Sequence, residues 1–276
     1  MKTPPASGSM RDALYEAPGP RTRRRVAIGT AISAVVVAAL LALVVRQFAV
    51  TGQLAPRYWS FFLEWTTWRF LLQGLVGTVE VALVAGAISL VLGLLLMLGR
   101  TSGVRPLAAV CRVVTDFFRG VPSLLLIYFF FLVVPQYGIK MPSFWMLTLP
   151  VALAASGVLA EVFRAGVNAV PKGQVEAALS IGLSRAQTMR RIVLPQAIRY
   201  VVPSLIAQLV VVVKDTTVAY VVSYPDLMQN ARVLITSHDS LVSIYLVIAV
   251  VYVLINFAIN QLATVVSRRT GAKIIR

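Results

Sequence analysis

The chain has 276 residues, 58% hydrophobic and 13% charged, with a mean hydropathy of +0.82 and a net charge of +16. Soluble domains carry roughly a quarter of charged residues, so this composition excludes an ordinary soluble fold and asks for membrane helices. The cations sit in short clusters between apolar runs, which argues against nucleic acid, and the single cysteine, Cys111, excludes an internal disulfide or a multi-cysteine metal site.

Residues 1–25 are rich in Pro, Gly and Arg and are expected to form a mobile cytoplasmic tail. Six apolar segments follow, at about 26–46, 70–99, 106–135, 145–167, 199–222 and 241–266. Each is near or above the ~20 residues needed to cross a ~30 Å hydrocarbon core. The fold class expected is therefore an all-α polytopic membrane protein with six transmembrane helices. The first apolar run follows Arg23-Arg24-Arg25 as a signal peptide would, but it is too long and lacks a small-x-small cleavage site. It reads as a retained span. With the N-terminus in the cytoplasm, twenty Lys and Arg fall on the inner side and five on the outer, with Lys214 inside a span. That asymmetry places both termini, including the tail 268–276, in the cytoplasm. Trp59, Trp65, Trp68 and Trp145 then lie at the outer interface, where an amphipathic ring is comfortable.

Span 2 carries Ala82, Gly86, Ser89 and Gly93 as a small-residue stripe suited to close helix packing. It also carries Glu80, near the midplane. An ionisable residue there costs on the order of 3 kcal/mol on insertion scales, so it needs a reason. In span 3, Arg112, Asp116 and Arg119 share a helical spacing, and Arg119-Gly-Val-Pro122 allows a break that exposes backbone groups to a polar substrate. In span 4, Glu161 and Arg164 are i and i+3 on one face, which fits a structural ion pair or a coupling role.

About thirty residues separate spans 4 and 5, far more than a connection needs. Pro171 fits a first helical turn, residues 174–181 a short helix with Ala177, Ala178 and Ile181 along one side, and Gly182 its turn. Ser184 then caps a second piece carrying Met189, Ile192 and Val193, with Arg185, Arg190 and Arg191 outside, until Pro195 breaks it. The pattern is an elbow for docking a partner; an amphipathic helix lying on the inner leaflet is the other reading. In span 5, the adjacent Lys214 and Asp215 point about 100° apart and cannot simply neutralise each other. Either the helix loosens there, with Thr216 and Thr217 satisfying freed groups, or each charge finds its own partner. His238, in the last outer loop, reads as a solvated residue.

The words Gly77-Thr-Val-Glu80, Phe118-Arg-Gly-Val-Pro122, Glu161-Val-Phe-Arg164, Pro171-Lys-Gly-Gln174, Glu176-Ala-Ala-x-x-x-Gly182, Leu194-Pro-Gln-Ala197 and Lys214-Asp-Thr216 occur in this order. Together they resemble the permease subunits of binding-protein-dependent ABC importers of the polar amino acid branch, over about residues 70–266. The tail Leu14-Tyr-Glu-Ala-Pro-Gly-Pro20 and the added first span resemble actinobacterial glutamate-uptake permeases. The resemblance implies an extra first span and outer loop at 26–69, an importer transmembrane domain at 70–267, and a coupling elbow. The elbow corresponds to about Pro171–Leu194, with Glu176, Ala177, Ala178 and Gly182 at the family's core positions. The ATPase-coupling residues that the resemblance implies are Lys172, Gly173, Gln174, Glu176, Ala177, Ala178, Ile181 and Gly182. It implies a pair of ABC ATPase subunits holding ATP and Mg2+, a second permease (a different paralogue), an extracytoplasmic amino-acid-binding protein, and membrane lipid around the spans. It also places Ser123 and Gln208 near substrate, where Gln208 serves equally well as an interhelical hydrogen bonder. Their neutrality argues against a cationic substrate. The pathway expected is thus Arg119, Ser123, Gln208, Lys214, Asp215 and Glu80.

The chain has no G-x-x-x-x-G-K-[ST] phosphate loop, so it binds no nucleotide cofactor of its own, and it shows no metal or catalytic constellation. It is not expected to be an enzyme. The alternative function is an ion-coupled secondary amino acid carrier, with Glu80, Lys214 and Asp215 as a relay.

Overall fold

The structure is a computed structural model and describes residues 19–269, so the tail words at 14–18 and the terminal 270–276 lie outside it. Between Pro56 and Arg57 the chain divides into two compact units. The first is built on α1 (Pro20–Val50), which has Pro at its start and no buried residue. Its apolar side chains are exposed all round, as a lipid-facing helix requires. It starts six residues ahead of the apolar run and takes in Arg21 to Arg25.

The second unit holds α2 (Trp65–Thr101), α3 (Arg105–Gly120), α4 (Ser123–Tyr128), α5 (Ser143–Ala169), α6 (Lys172–Ser180), α7 (Arg185–Thr188), α8 (Leu194–Asp215), α9 (Leu227–His238) and α10 (Leu241–Arg269). No strand occurs among the described residues. Among the described residues, five helical stretches are long and apolar enough to cross a membrane, and a sixth arises if α3 and the chain from Ser123 to Tyr137 count as one span. Those two pieces meet at 98°, because Val121 and Pro122 are extended and Pro122 offers no N–H to continue the ladder. The third apolar segment is therefore a bent pair. Its first arm is amphipathic and buries only Cys111 and Thr115.

Small residues set the packing. Ala82, Gly86, Ser89 and Gly93 are all buried on α2. A side chain at Gly93 would stand 2.8 Å from Leu159 Cβ and 3.1 Å from the Ser156 carbonyl on α5, so the helices touch there through their backbones. On α5, Gly157 does the same for α3: a Cβ there would meet the Arg119 nitrogen at 2.7 Å. Val81, Ala85, Ile127, Leu147, Val151, Val212 and Ala219 close the main core between α2, α4, α5 and α8.

At the end of the bundle away from α6, α9 is locked onto α2. Asn230 Nδ2 donates to the Phe70 carbonyl (2.7 Å), and the Leu227 N–H donates to Thr78 Oγ1 (3.1 Å). Asp226 caps α9 by accepting from the Gln229 N–H at 2.7 Å, is fully buried, and leaves Oδ2 without a partner. Burial pushes its carboxyl up to about 6. The folded form then holds the proton more tightly than the unfolded chain, whose carboxyl titrates near 3.8. Stability should fall as pH rises from about 4 to about 6 and level off above. Asp226→Asn keeps the cap oxygen and should flatten that slope, read as the unfolding midpoint of the purified protein against pH. An unchanged slope would show that other groups set it.

Two departures from the sequence expectations have local causes. Pro195 does not break the chain: Met189–Val193 form a π-helical turn that leads straight into α8, and Arg185 to Val222 runs as one helical stretch. The widened turn accommodates the proline ring and its missing N–H without a stop. His238 is exposed as expected, yet its ring stacks on Phe61 at 4.3 Å between centroids.

Candidate functional site

The segment between α5 and α8 is polar and largely exposed. Pro171 is the residue before α6, not its first turn, with extended ψ 132. Only Ala178 of α6 is buried, with Val175 half-buried beside it; Ala177 and Ile181 face away from the bundle, so the expected single apolar side is divided. Lys172, Gly173, Gln174, Glu176, Ala177 and Gly182 are exposed, and Ile181 is 79% exposed.

The end of α6 has a defined closure. The Leu183 N–H donates to the Ala178 carbonyl (3.2 Å) and the Gly182 N–H to the Leu179 carbonyl (3.0 Å). With Gly182 at φ 84, this is a Schellman turn. A capping box follows at once: the Gln187 N–H donates to Ser184 Oγ (3.3 Å), and the Ser184 N–H to Gln187 Oε1 (2.9 Å). Two consecutive caps with no free residue between them make the elbow stiff. Its root is a small core of Val170, Val193 and Ala197 with Val175 and Met189 packed on it. That core joins α6 to the start of α8 and the end of α5.

Just above that root, Glu161 gathers three cations. Arg164 donates from Nη2 and Nε to Oε2 at 2.7 and 2.8 Å, Arg100 pairs with Oε1, and Arg119 lies 3.6 Å from Oε1. Arg119 also lies 3.7 Å from Asp116. One carboxylate thus ties the end of α2 and the end of α3 to α5. Arg100, 61 residues from Glu161, is a member that the sequence pattern did not reveal, and Arg119, expected in the substrate pathway, joins the cluster as well.

The other pathway candidates separate into three places. Asp215, half-buried at the end of α8, interacts with the Ser123 hydroxyl at the first turn after the Pro122 bend. Gln208 is two turns earlier on the same face of α8 and half-buried. Lys214 is exposed on the adjoining face with Ser204, Ala207 and Val211. Beyond Asp215 the helix tightens into the 3-10 stretch Thr216–Val222, where the Thr216 and Thr217 hydroxyls donate to the Val213 and Lys214 carbonyls at 2.8 and 2.7 Å. Glu80 is exposed on α2 and accepts from the Tyr224 hydroxyl at 3.3 Å. Arg119 belongs to the Glu161 cluster; no hydrogen bond or ion pair joins it to Ser123, Gln208 or Asp215 among the described residues. No group of three His, Cys, Asp or Glu suited to a metal occurs among those residues.

Residues 88–272 match the family described as "Binding-protein-dependent transport system inner membrane component". The glutamate transport system permease protein GluD of Corynebacterium glutamicum is 33% identical over 225 residues, covering 80% of this chain and 82% of that protein. The probable glutamine ABC transporter permease protein GlnP of Bacillus subtilis is 34% identical, covering 72% and 91%. The crystal structure of an amino acid ABC transporter with histidines superposes with a TM-score of 0.69 at 28% identity, covering 73% of this chain and 94% of that one. The family match takes in the bent pair, the Glu161 cluster, the elbow and α8, and this chain belongs to the binding-protein-dependent transport system inner membrane components.

Proposed function

We propose that the chain is the permease subunit of an ATP-driven ABC importer of a polar amino acid, with glutamate as the first candidate. The observation that carries this reading is the stiff, exposed elbow at Lys172–Gly182, rooted on α5 and α8. A protein that worked alone has no use for it. The relatives named for glutamate and glutamine transport support the substrate class, and the neutral Ser123 and Gln208 favour an acidic or neutral amino acid. The Lys and Arg distribution supports six spans with both termini in the cytoplasm, the first span lying outside an importer domain at 70–267.

In this reading the elbow seats in a groove of an ATPase subunit, which supplies the ATP and Mg2+. A second permease, a different paralogue, completes the pathway, and an extracytoplasmic binding protein delivers substrate. Closure of the ATPase pair moves α6, and the two-state displacement passes through the Val170–Val193–Ala197 root into α5 and α8. The Pro122 bend and the Asp215 end of α8 form the substrate face. The carrier alternative gains no support: Glu80 pairs with Tyr224 and Asp215 with Ser123, and no hydrogen bond links them into a relay among the described residues.

The test is uptake of labelled glutamate by the reconstituted complex, competed by glutamine, aspartate, arginine and cystine. ATP-dependent uptake competed by glutamate and aspartate supports the reading, and uptake driven by an ion gradient without ATP overturns it. Gln208→Glu puts a second carboxylate on the Asp215 face. A like charge ~8 Å away costs about 2 kcal/mol at an effective dielectric near 20. Glutamate uptake should fall by about thirtyfold; unchanged uptake would remove Gln208 from the pathway.

A further inference from the structure

Where α2 ends beside the elbow, the second unit forms a cavity of about 860 Å³ that is open on one side, within the range of small-molecule sites. Leu98, Val167, Val175, Leu179, Met189 and Val193 make its wall apolar, and Arg185 and Arg190 stand at it. Neither arginine forms an ion pair among the described residues. Thr188, between them in sequence, is 2% exposed, and its hydroxyl is buried without a hydrogen-bond partner. A buried hydroxyl left unpaired costs about 1–3 kcal/mol, so an acceptor at that place would be stabilising.

The chemistry selects the occupant. A free amino acid is too polar for a wall of six aliphatic or thioether side chains. A peptide strand would leave its own N–H and C=O groups unpaired against that wall. A phospholipid supplies what each part lacks: an acyl chain for the apolar wall, phosphate oxygens for two guanidinium groups, and an ester carbonyl to accept from Thr188. Basic pockets between membrane helices on the cytoplasmic side hold anionic head groups for the same reason.

We propose that this cavity binds one anionic phospholipid of the cytoplasmic leaflet, with its acyl chain between α2, α5 and α6 and its phosphate on Arg185 and Arg190. The lipid fills the space behind Val175 and Leu179 and so holds the elbow against the bundle. This rests on the orientation proposed above, which puts the elbow on the cytoplasmic side.

The test uses the complete transporter in nanodiscs of phosphatidylcholine with or without phosphatidylglycerol. Native mass spectrometry should find one phosphatidylglycerol retained per permease chain, and ATP-driven uptake should rise several-fold with that lipid. Arg185→Gln combined with Arg190→Gln should lower retention at least tenfold and remove the stimulation. Leu179→Trp, which pushes a bulky ring into the apolar wall while leaving both arginines in place, should do the same. Retention unchanged in both variants, equal retention of phosphatidylcholine, displacement by inorganic phosphate, or an ATPase segment cross-linking inside the cavity would each overturn the proposal. Uptake in phosphatidylcholine alone tests the importer reading separately, so the two can fail independently.

Discussion

Gly182→Asp should abolish uptake while leaving the chain inserted at its normal level. The position has φ 84, and nothing lies within 4 Å of where a Cβ would stand. The substitution therefore meets no neighbour, and its only cost inside this chain is the left-handed backbone, about 1–2 kcal/mol for an L residue. That is small beside the 5–15 kcal/mol that holds a typical domain together, so folding survives. Docking does not. The new carboxylate sits beside Ile181, the most exposed apolar residue of the elbow, on the surface that a partner must bury. An unpaired charge buried in an interface costs on the order of 3–5 kcal/mol, several hundred-fold in affinity. The measurement is uptake alongside membrane-fraction abundance and cross-linking of the elbow to the ATPase. Gly182→Asn, neutral and tolerant of the left-handed region, should keep part of the activity. Wild-type uptake by the Asp variant would sink the lever, and equal loss in both variants would assign the defect to the backbone alone.

How much of this was legible depends on the range of the interaction. The elbow was readable because its parts are local: a proline ahead of α6, a glycine able to end it, and Ser184 three residues before Gln187. Which alanine faced inward was not, because α6 is too short and too polar for its periodicity to choose between Ala177 and Ala178. The break at Pro122 follows from covalent chemistry, whereas the close approach of α3 to α5 at Gly157 is a contact between distant parts of the chain that no local pattern encodes. Pro195 misled for a related reason. A proline announces a missing donor, but whether the chain stops or widens into a π turn depends on Val193 and Ala197 already being held in a core with Val170. Glu161 and Arg164 lie one turn apart, so their pairing is written in the spacing. Arg100 reaches the same carboxylate from another helix, and no periodicity encodes that.

That distant partner makes Glu161 the position with the largest expected effect on stability. Its side chain is 17% exposed and that of Arg100 18%, so the pair is largely withdrawn from water, while Arg164 at 39% and Arg119 at 50% are not. Glu161→Leu removes the one carboxylate that neutralises Arg100 and leaves a largely buried guanidinium without a counter-charge. Breaking a buried pair from one side costs on the order of 3–5 kcal/mol. The unfolding midpoint of the purified permease should drop by roughly 10 °C, given about 2–4 °C per kcal/mol at this size. Arg164→Met should cost less than about 1 kcal/mol, because that arm is partly solvated and Glu161 keeps Arg100. The double variant Arg100→Met with Glu161→Leu separates charge from packing: replacing both members of a buried pair by apolar groups of similar volume is often neutral, so it should regain most of the lost midpoint. If the double variant is as unstable as Glu161→Leu alone, the cost lies in the space the glutamate fills, and the cluster ties α2, α3 and α5 together by shape and not by charge.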